Sequence, residues 1–421
     1  MAVINSIKGF KDILPDETGR WRHVEEKARE IFCCFGVKEI RTPVMEKTEL
    51  FRRGIGATTD IVEKEMYTLL DRGEESLSLR PEATASIIRA YVEHSMYAAD
   101  PVARLFTIGP MFRSERPQKG RFRQFHQINV EFLGLDDPRA DGEIILLLTH
   151  FLESVGLAGF CLEINSLGCP ACRPSFREAI LKFLKGSEEG LCKDCQRRLG
   201  TNSLRVLDCK LEQCREITAE VPMILDFLCP DCSDHFFRVR ATLDNFGLAY
   251  KINHRMVRGL NYYTKTAFEV TAEFLGAQNA VAGGGRYDSL VSELGGPDIT
   301  GIGFAIGMER LISLLPERKE YLDISPHLFI AAIGEDAVER AFALCNRLRV
   351  KGLRVEMDYT GKSLKSQMKR AGKLGSRYTL ILGERELAEG KAELRDMEKG
   401  TQETIGLEGC EESLINILIK R

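Results

Sequence analysis

The sequence predicts a mixed α/β protein, of the α/β or α+β class, and three observations support that prediction. Two strand-like runs, 102–113 and 124–133, are separated by a charged loop, which predicts an antiparallel pair of strands. The cysteine-rich stretch 169–240 differs in composition from its surroundings and indicates an inserted module. From about residue 326 strands and helices alternate, and this order is typical of an α/β domain with a largely parallel sheet.

The composition is that of a globular protein and excludes several other classes. The chain has 421 residues, of which 44% are hydrophobic and 29% charged, and at roughly 150 residues per domain this length suggests about three domains. No stretch approaches the ~18 consecutive apolar residues of a membrane span, and Lys8 and Lys11 stand where a signal peptide needs an apolar run. We therefore expect a cytoplasmic protein with no membrane partner.

The first elements follow from local periodicity. Apolar residues from Trp21 onward keep a helical period until Gly36 stops it, and a short strand, 37–42, then ends at Pro43. A strand at 77–79 and a helix from about 81 to 94 are expected next.

The later elements divide the chain into domains. A helix at 175–185 should open the insertion, with Ser175 and Glu178 as a capping box. We expect one discontinuous domain from 1–168 and 241–320, the insertion at 169–240, and a separate domain at 326–421. The last domain should contain strands at 329–333, 353–357 and 378–382 and helices at 336–350 and 363–374.

The predicted strand 124–133 carries an unusual polar face. With the period of two that strands impose, Phe125, Gln127, Asn129 and Glu131 share one face, and the opposite face is apolar apart from His126. A solvent-facing strand surface would give the same pattern. The loop before it is strongly basic, however, and a basic loop over a polar face favours a phosphate-bearing substrate. The basic residues are Arg113, Arg116, Lys119, Arg121 and Arg123.

Glycines mark three further segments. The sequence GIGFAIGMER, 301–310, alternates small and large residues, so one face of a strand is stripped of side chains and something flat can approach its backbone. Arg310 should then lie at the start of the following helix. The other two segments are RGLNYYTKTAFEV at 258–270 and AGGGRYDSL at 282–290, where three successive glycines cost backbone entropy and need a reason.

Taken together, these segments resemble the class II aminoacyl-tRNA synthetases, and within them the bacterial-type histidyl-tRNA synthetase family. The resemblance covers essentially the whole chain, from KGFKDILP at 8–15 onward. The helix and strand ending at Pro43 are similar to the first class motif, FRSE at 112–115 through Glu131 to the second, and GIGFAIGMER to the third. RGLNYY and GGGRYD resemble the two signatures of the histidine enzyme. The implied fold is a class II synthetase antiparallel-sheet catalytic core, a Cys-rich insertion and a C-terminal α/β anticodon-binding domain.

The resemblance implies a reaction in two steps. The histidine carboxylate attacks the α-phosphate of ATP to give histidyl-adenylate and pyrophosphate, and a terminal ribose hydroxyl of tRNA(His) then takes the acyl group. No enzyme nucleophile is required, so positioning and charge stabilisation supply most of the rate. Arg258 and Arg113 are the implied catalytic residues, with Mg²⁺ accompanying ATP.

The resemblance also assigns residues to each substrate. For ATP these are Arg113 on the α-phosphate, Glu115, Phe125 stacked on adenine and Arg310 on the γ-phosphate. For histidine they are Glu82, Ala83, Thr84, Gln127, Glu131, Tyr262 and Tyr263, and polar partners for both ring nitrogens explain how a wrong side chain is rejected. Glu82 also follows Pro81 at a predicted helix start, where it could simply complement the helix N-terminus.

One residue departs from the family pattern, and two regions are expected to contact tRNA. Asn261 stands where the family signature has Asp, which keeps the shape and one acceptor but loses the charge. The acceptor end is expected to meet Arg116, Gln118 and Arg123. In the last domain the segment 361–377 is basic with no acidic residue, and RNA contact competes there with a merely solvated face. Its cations are Lys362, Lys365, Lys369, Arg370, Lys373 and Arg377.

Cysteine usage suggests metal rather than disulfides. Thirteen cysteines without a secretory signal argue against a disulfide framework, and eight of them lie between 169 and 232 in closely spaced pairs. Such spacing is typical of thiolate zinc sites, although cysteine also packs as a small hydrophobe. Which pairs would share an ion stays open. The pairs are Cys169/Cys172, Cys192/Cys195, Cys209/Cys214 and Cys229/Cys232; Cys33, Cys34, Cys161, Cys345 and Cys410 are expected in the core.

The expected function is thus that of a homodimeric, ATP-dependent ligase joining histidine to tRNA. One alternative is the inactive synthetase-like regulatory subunit of ATP phosphoribosyltransferase in histidine biosynthesis, but such paralogues typically lack the anticodon-binding domain and lose catalytic arginines. A class II synthetase for another amino acid is the second alternative, and RGLNYY and GGGRYD argue against it.

Overall fold

The computed structural model describes residues 3–57, 59–117, 120–260, 262–272, 280–317 and 325–419. The chain divides into two compact units, Met1–Tyr321 and Leu322–Arg421, each of which is described by itself. None of the helices within the described ranges combines the length and apolar character needed to cross a bilayer.

The first unit is built on a mixed, mainly antiparallel sheet. Its described strands are β1 (Lys38–Glu39), β2 (Met45–Lys47), β3 (Thr68–Leu70), β4 (Ser76–Leu79), β5 (Ala103–Phe112), β6 (Gln124–Leu133), β7 (Phe160–Ser166), β8 (Lys251–Ile252), β9 (Thr264–Ala272), β10 (Ala280–Tyr287) and β11 (Gly301–Gly307). The large sheet has the order β1-β5-β6-β11-β10-β9-β7-β8, and β2-β4-β3 form a small one. Only the edge pairs β1–β5 and β7–β8 are parallel within these sheets. The predicted antiparallel pairing of β5 with β6 is confirmed.

The helices of this unit are placed by their apolar faces. They are α1 (Pro15–Cys34), α2 (Thr48–Phe51), α3 (Thr84–Glu93), α4 (Pro138–Ser154), α5 (Arg173–Leu184), α6 (Lys193–Thr201), α7 (Glu212–Ile217), α8 (Pro230–Asn245), α9 (Leu290–Glu293) and α10 (Met308–Leu314). Helices α1 and α4 cover one face of the sheet, where Phe32 packs with its ring centroid 5.2 Å from that of Phe106 and 5.4 Å from that of Phe151. The apolar face of β6 belongs to this core, as the period of two predicts.

The insertion has a small core of its own, formed by α5 to α7 and the turns between them, whereas α8 returns to the main core through Phe236, Val239 and Leu243. Two expectations about this region and the free thiols are wrong. Helix α5 begins at Arg173 with Cys172 as its N-cap, so Ser175 does not cap it. Cys33 and Cys34 are exposed because they lie at the end of α1, beyond its buried stripe.

The second unit is a five-stranded sheet with helices. Its elements are β12 (Leu328–Ala332), α11 (Glu335–Val350), β13 (Val355–Met357), α12 (Leu364–Lys373), β14 (Tyr378–Leu382), α13 (Glu384–Ala388), β15 (Lys391–Asp396), β16 (Gln402–Gly406) and α14 (Cys410–Ile419). The described strands have the order β13-β12-β14-β15-β16. The expectation of a largely parallel sheet is only half right, because β13, β12 and β14 are parallel but β15 and β16 add an antiparallel hairpin.

Candidate active site

A cavity of about 370 Å³ lies on the face of the large sheet that α1 and α4 leave open. Its floor is the polar face of β6, flanked by the glycine-rich strands β10 and β11. Most of the residues singled out from the sequence line it together: Glu82, Thr84, Arg113, Glu115, Phe125, Gln127, Glu131, Arg258, Tyr262, Tyr263 and Arg310. Residues from distant parts of the chain therefore converge on one space.

Two amide side chains on this floor have oxygen atoms that accept no hydrogen bond. Among the described residues, the buried side-chain oxygens of Gln127 and Asn129 have no hydrogen-bond partner. A buried polar atom without a partner costs about 1–3 kcal/mol. The cavity is open above both side chains, so a ligand that carries hydrogen-bond donors, such as an ammonium group, would satisfy these oxygens.

The carboxyl group of Glu131 is buried at one end of the cavity. Its side chain accepts hydrogen bonds from the Thr84 hydroxyl, at 2.7 Å, and from the Tyr287 hydroxyl. Burial raises the pKa of Glu131 to about 8, although the two hydroxyls oppose the shift. This carboxyl group can therefore exchange a proton close to neutral pH, next to the hydroxyl groups of Tyr262 and Tyr263.

Glycine at positions 303 and 283 makes room for the side chains of the site. A Cβ on Gly303 would lie 1.7 Å from Oε2 of Glu131, and one on Gly283 would lie 2.7 Å from a guanidinium nitrogen of Arg258. The other two glycines of the run allow close approach of the neighbouring strands, since a Cβ on Gly284 would lie 2.1 Å from the carbonyl oxygen of Gly303 and one on Gly285 would lie 2.6 Å from that of Thr266. The glycines thus leave space beside the backbone for the carboxylate of Glu131 and the guanidinium of Arg258.

Glu82 occupies the start of α3. Its carboxylate accepts the backbone N–H of Thr84 at 2.7 Å and that of Ala85 at 2.9 Å, so it caps the helix as the simpler interpretation predicted. Burial raises the pKa of Glu82, and the two backbone donors oppose that shift. The side chain still lines the cavity, so the capping role and a substrate contact are compatible.

Arg258 is anchored from two sides. Its guanidinium donates to Oε2 of Glu269 at 3.0 Å and lies 5.2 Å from the ring centroid of Tyr263. The ring centroids of Tyr262 and Tyr263 are 4.6 Å apart. A cation held in this way by an acid and an aromatic face is fixed in position, which is what stabilisation of a developing charge requires.

A group of arginines forms the other end of the cavity. Arg310 donates to the carbonyl of Ala280 at 2.7 Å, and Arg113 donates to the carbonyl of Pro81 at 2.9 Å while its guanidinium lies 5.3 Å from the Phe125 ring centroid. Arg121 is paired with Glu115 at 2.6 Å. Burial and then the nearby Arg121 cation lower the pKa of Arg310. Like charges gathered in a partly buried space favour a polyanionic ligand such as a triphosphate.

Some of the predicted site residues lie elsewhere. Ala83 is buried against Ile87, Leu105 and Met111 and is not among the residues that line the cavity. Arg116 is exposed on the loop after β5, and Arg123 donates to the backbone carbonyl of Glu115 at 3.3 Å. Gln118, Lys119 and Asn261 lie outside the described residues.

Sequence reasoning assigned no role to Tyr287, Asn129 and Glu269, which also line the cavity. Tyr287 binds Glu131, Asn129 adds a second unsatisfied amide, and Glu269 holds Arg258. A signal existed for two of them, since Tyr287 belongs to GGGRYD and Asn129 lies on the polar face of β6. Glu269 gave none, because it is a single acid in an otherwise ordinary strand.

The paired cysteines gather in the insertion, and none of them is among the residues that line this cavity. Within the described residues, two groups bring four sulfur atoms to within 4.8 Å of one another: Cys169, Cys172, Cys229 and Cys232, and Cys192, Cys195, Cys209 and Cys214. The structure therefore provides the grouping that the sequence left open.

Comparison with known proteins gives the same result over both units. A family model described as histidyl-tRNA synthetase matches residues 9–311, and one described as anticodon binding domain matches residues 327–417. A curated protein from Syntrophotalea carbinolica, named histidine–tRNA ligase, is 55% identical over 412 residues, which is 98% of each chain. One of the same name from Geobacter sulfurreducens is 55% identical over 96% of this chain and 98% of its own.

Solved structures share the fold. The crystal structure of apo S. aureus histidyl-tRNA synthetase is 36% identical, with a TM-score of 0.82 over 98% of this chain and 100% of that one. An ATP phosphoribosyltransferase regulatory subunit/histidyl-tRNA synthetase from Bacillus halodurans reaches a TM-score of 0.65 at 21% identity over 91% of this chain and 98% of its own, a likeness of fold alone.

Proposed function

The chain belongs to the histidyl-tRNA synthetase family, and from this premise we propose that its cavity activates histidine with ATP and passes it to tRNA. It is an aminoacyl-tRNA ligase. The observation that carries the assignment of the cavity is its division into two ends. A buried carboxyl group with tyrosines and unsatisfied amides forms one end, and a group of arginines forms the other.

The tyrosine end is the proposed histidine pocket. Glu131 and the tyrosine hydroxyls of Tyr262 and Tyr263 provide polar partners for the imidazole nitrogens. The unsatisfied amide oxygen of Gln127, together with Glu82 and Thr84, suits the α-ammonium group. An amino acid without ring nitrogens would give the buried Glu131 no hydrogen-bond partner from the substrate, and sites of this kind can discriminate by ~10⁴ or more.

The arginine end is the proposed ATP pocket. Phe125 offers a face for adenine, Arg113 and Glu115 flank the α-phosphate and Arg310 the γ-phosphate. ATP is expected to enter as its Mg²⁺ complex, in which the cation offsets part of the triphosphate charge. A carboxylate oxygen of histidine attacks the α-phosphorus, the bond to the bridging oxygen breaks, and pyrophosphate leaves. Arg258 and Arg113 stabilise the charge that develops on the α-phosphate oxygens.

The second step needs tRNA. A ribose hydroxyl of the terminal nucleotide attacks the histidyl carbonyl, and AMP leaves with the electron pair. Arg116, Gln118 and Arg123 are proposed to contact the acceptor end, and the second unit is proposed to bind the anticodon. We also propose a cytoplasmic homodimer and a structural Zn²⁺ content for the insertion.

The regulatory-subunit alternative is less supported. A binding protein of that kind has no need of Arg113, Arg258 and Arg310, yet all three are present and line one cavity. A unit that matches the anticodon binding domain model is also present at 327–417, and a ligase that charges tRNA needs such a unit.

The test is ATP–pyrophosphate exchange with a panel of amino acids, followed by charging of tRNA(His). Exchange should depend on histidine alone; exchange with none of the amino acids would favour the regulatory protein, and exchange with another one a changed specificity. Arg258→Ala should reduce the exchange rate by about 10²–10³-fold because a fixed charge at the reacting phosphate is removed. Arg139→Ala, at an exposed arginine of α4, is the matched control, and near-normal exchange by Arg258→Ala would overturn the role given to Arg258.

A further inference from the structure

The eight cysteines of the insertion form two separate tetrads. The outer tetrad is Cys169, Cys172, Cys229 and Cys232, and the inner tetrad is Cys192, Cys195, Cys209 and Cys214. The two are nested along the chain, so the outer tetrad joins the two ends of the insertion and the inner tetrad lies within the loop it closes. All eight residues are free cysteines.

The sulfur–sulfur distances fit a tetrahedral ion. Sγ of Cys169 lies 3.6 Å from Sγ of Cys172 and 3.9 Å from Sγ of Cys229, and in the inner tetrad Sγ of Cys192 lies 3.9 Å from Sγ of Cys209. A regular tetrahedron with zinc–sulfur bonds of about 2.3 Å has edges of about 3.8 Å. A disulfide needs a separation of about 2.05 Å. The spacing therefore fits metal coordination and not oxidised pairs.

Backbone donors and helix N-termini lie beside sulfurs of both tetrads, where they would stabilise metal-bound thiolates. The backbone N–H of Cys229 donates to Sγ of Cys172 at 3.1 Å, and that of Cys192 donates to Sγ of Cys214 at 3.2 Å. Cys172, Cys192 and Cys229 are N-cap residues of α5, α6 and α8, where the helix dipole favours negative charge. Four sulfur ligands leave no open position for a reaction, so a structural ion is expected.

We propose that the insertion binds two Zn²⁺ ions, one in each tetrad, and that the outer ion supports the histidine pocket through Arg173. Arg173 directly follows Cys172, and its guanidinium donates to the backbone carbonyls of Leu167, at 3.3 Å, and Tyr263. Tyr263 in turn packs against Tyr262 and Arg258 in the cavity. The sites themselves stand apart from the proposed function, but the link to histidine binding rests on it.

The inner ion has a different role. Cys195 and Cys214 belong to the small apolar core of the insertion, together with Phe176, Ile180 and Val206. This core is small, and domains of such size commonly need a metal or disulfides to be stable. Loss of the inner ion should therefore loosen the insertion, whereas loss of the outer ion should also release Arg173 from the Tyr263 backbone.

Metal content of the purified full-length protein is the first test. Mass spectrometry of the metal after gel filtration under reducing conditions should find two zinc ions per chain. X-ray absorption at the zinc edge should find four sulfur ligands at about 2.3 Å. Cys33→Ser/Cys34→Ser is the matched control and should keep both ions. A metal-free protein with eight reactive thiols in the insertion, disulfides there, or iron in place of zinc would overturn the proposal.

Paired substitutions test the grouping. Cys169→Ser/Cys229→Ser should lose one ion, and so should Cys192→Ser/Cys209→Ser, because each pair lies in one tetrad. Cys169→Ser/Cys192→Ser should lose both ions, since it damages each tetrad once. If a variant changed within one tetrad lost both ions and the variant changed in both tetrads lost one, other pairs would share an ion. If a double variant does not fold, the single variants Cys169→His and Cys192→His replace it. Each should keep two ions and contain one site of three sulfurs and one nitrogen. Loss of an ion from both variants would contradict the proposed tetrads.

The link through Arg173 is tested kinetically. Arg173→Lys should keep two zinc ions and raise the KM for histidine in pyrophosphate exchange by about tenfold, the effect of one hydrogen bond of about 1.4 kcal/mol. The KM for ATP and kcat should change little. Arg177→Lys, on an exposed position of α5, is the control. An unchanged KM for histidine would overturn the link while the zinc content stands, and wild-type protein without histidine-dependent exchange would instead overturn the proposed function.

Discussion

Glu131 affects both the proposed binding of histidine and the stability of this protein. It is 1% exposed, and its two oxygens accept hydrogen bonds from Thr84 and Tyr287. Burial is the main cause of the raised pKa of Glu131, and the nearby acid Glu82 raises that pKa further. A carboxyl group in such a place is costly to ionise when no substrate is bound. A hydrogen-bond donor from histidine would reduce that cost by pairing with the charged form.

Glu131→Gln should change how stability depends on pH. The pKa of Glu131 in the folded protein is about 8, above its ordinary 4.5, so between these values the folded state holds a proton that the unfolded state has released. The resulting stabilisation is full below about pH 4.5 and disappears as the pH rises through 8. The difference between the free energies of unfolding, wild type minus Glu131→Gln, should thus fall by at most about 1.4 kcal/mol per pH unit as the pH rises to 8.

Urea unfolding of the ligand-free proteins at pH 6, 7, 8 and 9 measures this difference. The exposed Glu178, replaced by glutamine, is the control and should run parallel to wild type at every pH. Parallel curves for Glu131→Gln as well would mean that Glu131 has an ordinary pKa.

At the scale of single elements, strand β11 shows what its glycines do. A Cβ on Gly303 would meet Oε2 of Glu131 at 1.7 Å and the carbonyl oxygen of Val130 at 2.7 Å, whereas a Cβ on Gly307 would meet nothing closer than 4.0 Å. Gly303→Ala should therefore cost about 1–3 kcal/mol of stability, as overpacking does, and raise the KM for histidine. Gly307→Ala should leave stability within about 0.5 kcal/mol of wild type.

Thermal unfolding and histidine-dependent exchange on the two variants separate these outcomes. Equal effects at both positions would mean that the strand needs glycine for its backbone and not for the space beside Glu131.

Strand β10 is tied to helix α4 by a buried ion pair. Arg286 has no exposed side-chain surface and donates to Asp141, with Nε 3.0 Å from Oδ1, and to the carbonyl of Leu135 at 3.0 Å. His235 of α8 lies 2.8 Å from the other oxygen of Asp141. Burial opposes ionisation of Asp141, but Arg286 and His235 together outweigh it and hold the pKa of Asp141 below its usual value. Asp141 thus joins α4 to β10 and α8, and the arginine of GGGRYD does not line the cavity.

Arg286→Met should destabilise the protein by about 3–5 kcal/mol, because it leaves the charge of Asp141 buried and without its main partner. The matched control is Arg139→Met, which breaks the exposed pair of Arg139 with Asp137 and should cost far less, because water screens exposed ion pairs. Chemical denaturation followed by circular dichroism compares the two. Similar losses would show that the buried pair contributes no more than an exposed one.

These elements also show how far the sequence could go. The polar face of β6 was predictable because a period of two is local, and α12 was predictable from its basic helical pattern. The contact of Tyr287 with Glu131 was not, since it depends on the register of three strands and joins residues 156 positions apart. Strands β15 and β16 escaped prediction because charged and polar residues fill most of their positions. The cysteine pairs were visible, but their grouping needed the fold of the insertion.

At the scale of the whole molecule, the net charge of −3 gives no sign that basic residues are concentrated in two regions, one in each unit, for which we propose different roles. The residues proposed for activation of histidine all lie in the first unit, Met1–Tyr321. The second unit carries an exposed basic segment on and around α12, in which Lys365, Lys369 and Lys373 are all exposed. Activation and tRNA binding should therefore be separable by mutation.

Charge reversal on α12 tests this separation. Lys365, Lys369 and Lys373 are spaced four residues apart and so lie along one face of the helix. Replacing all three by glutamate should raise the KM for tRNA(His) in aminoacylation by at least about tenfold. The slope of log affinity against log salt concentration should become shallower by roughly 0.7–0.9 for each phosphate that the variant no longer binds. Histidine-dependent pyrophosphate exchange should stay at the wild-type rate, because it requires no tRNA.

The matched control for α12 reverses three exposed lysines of the same unit that lie off this helix, Lys351, Lys391 and Lys399. This variant carries the same change in net charge, so it should change the KM for tRNA far less if the face of α12 itself binds RNA. An equal rise in KM for both triple variants would reduce the role of α12 to general electrostatic attraction. A fall in pyrophosphate exchange would contradict the division between the two units, because the activation site would then depend on lysines of the second unit.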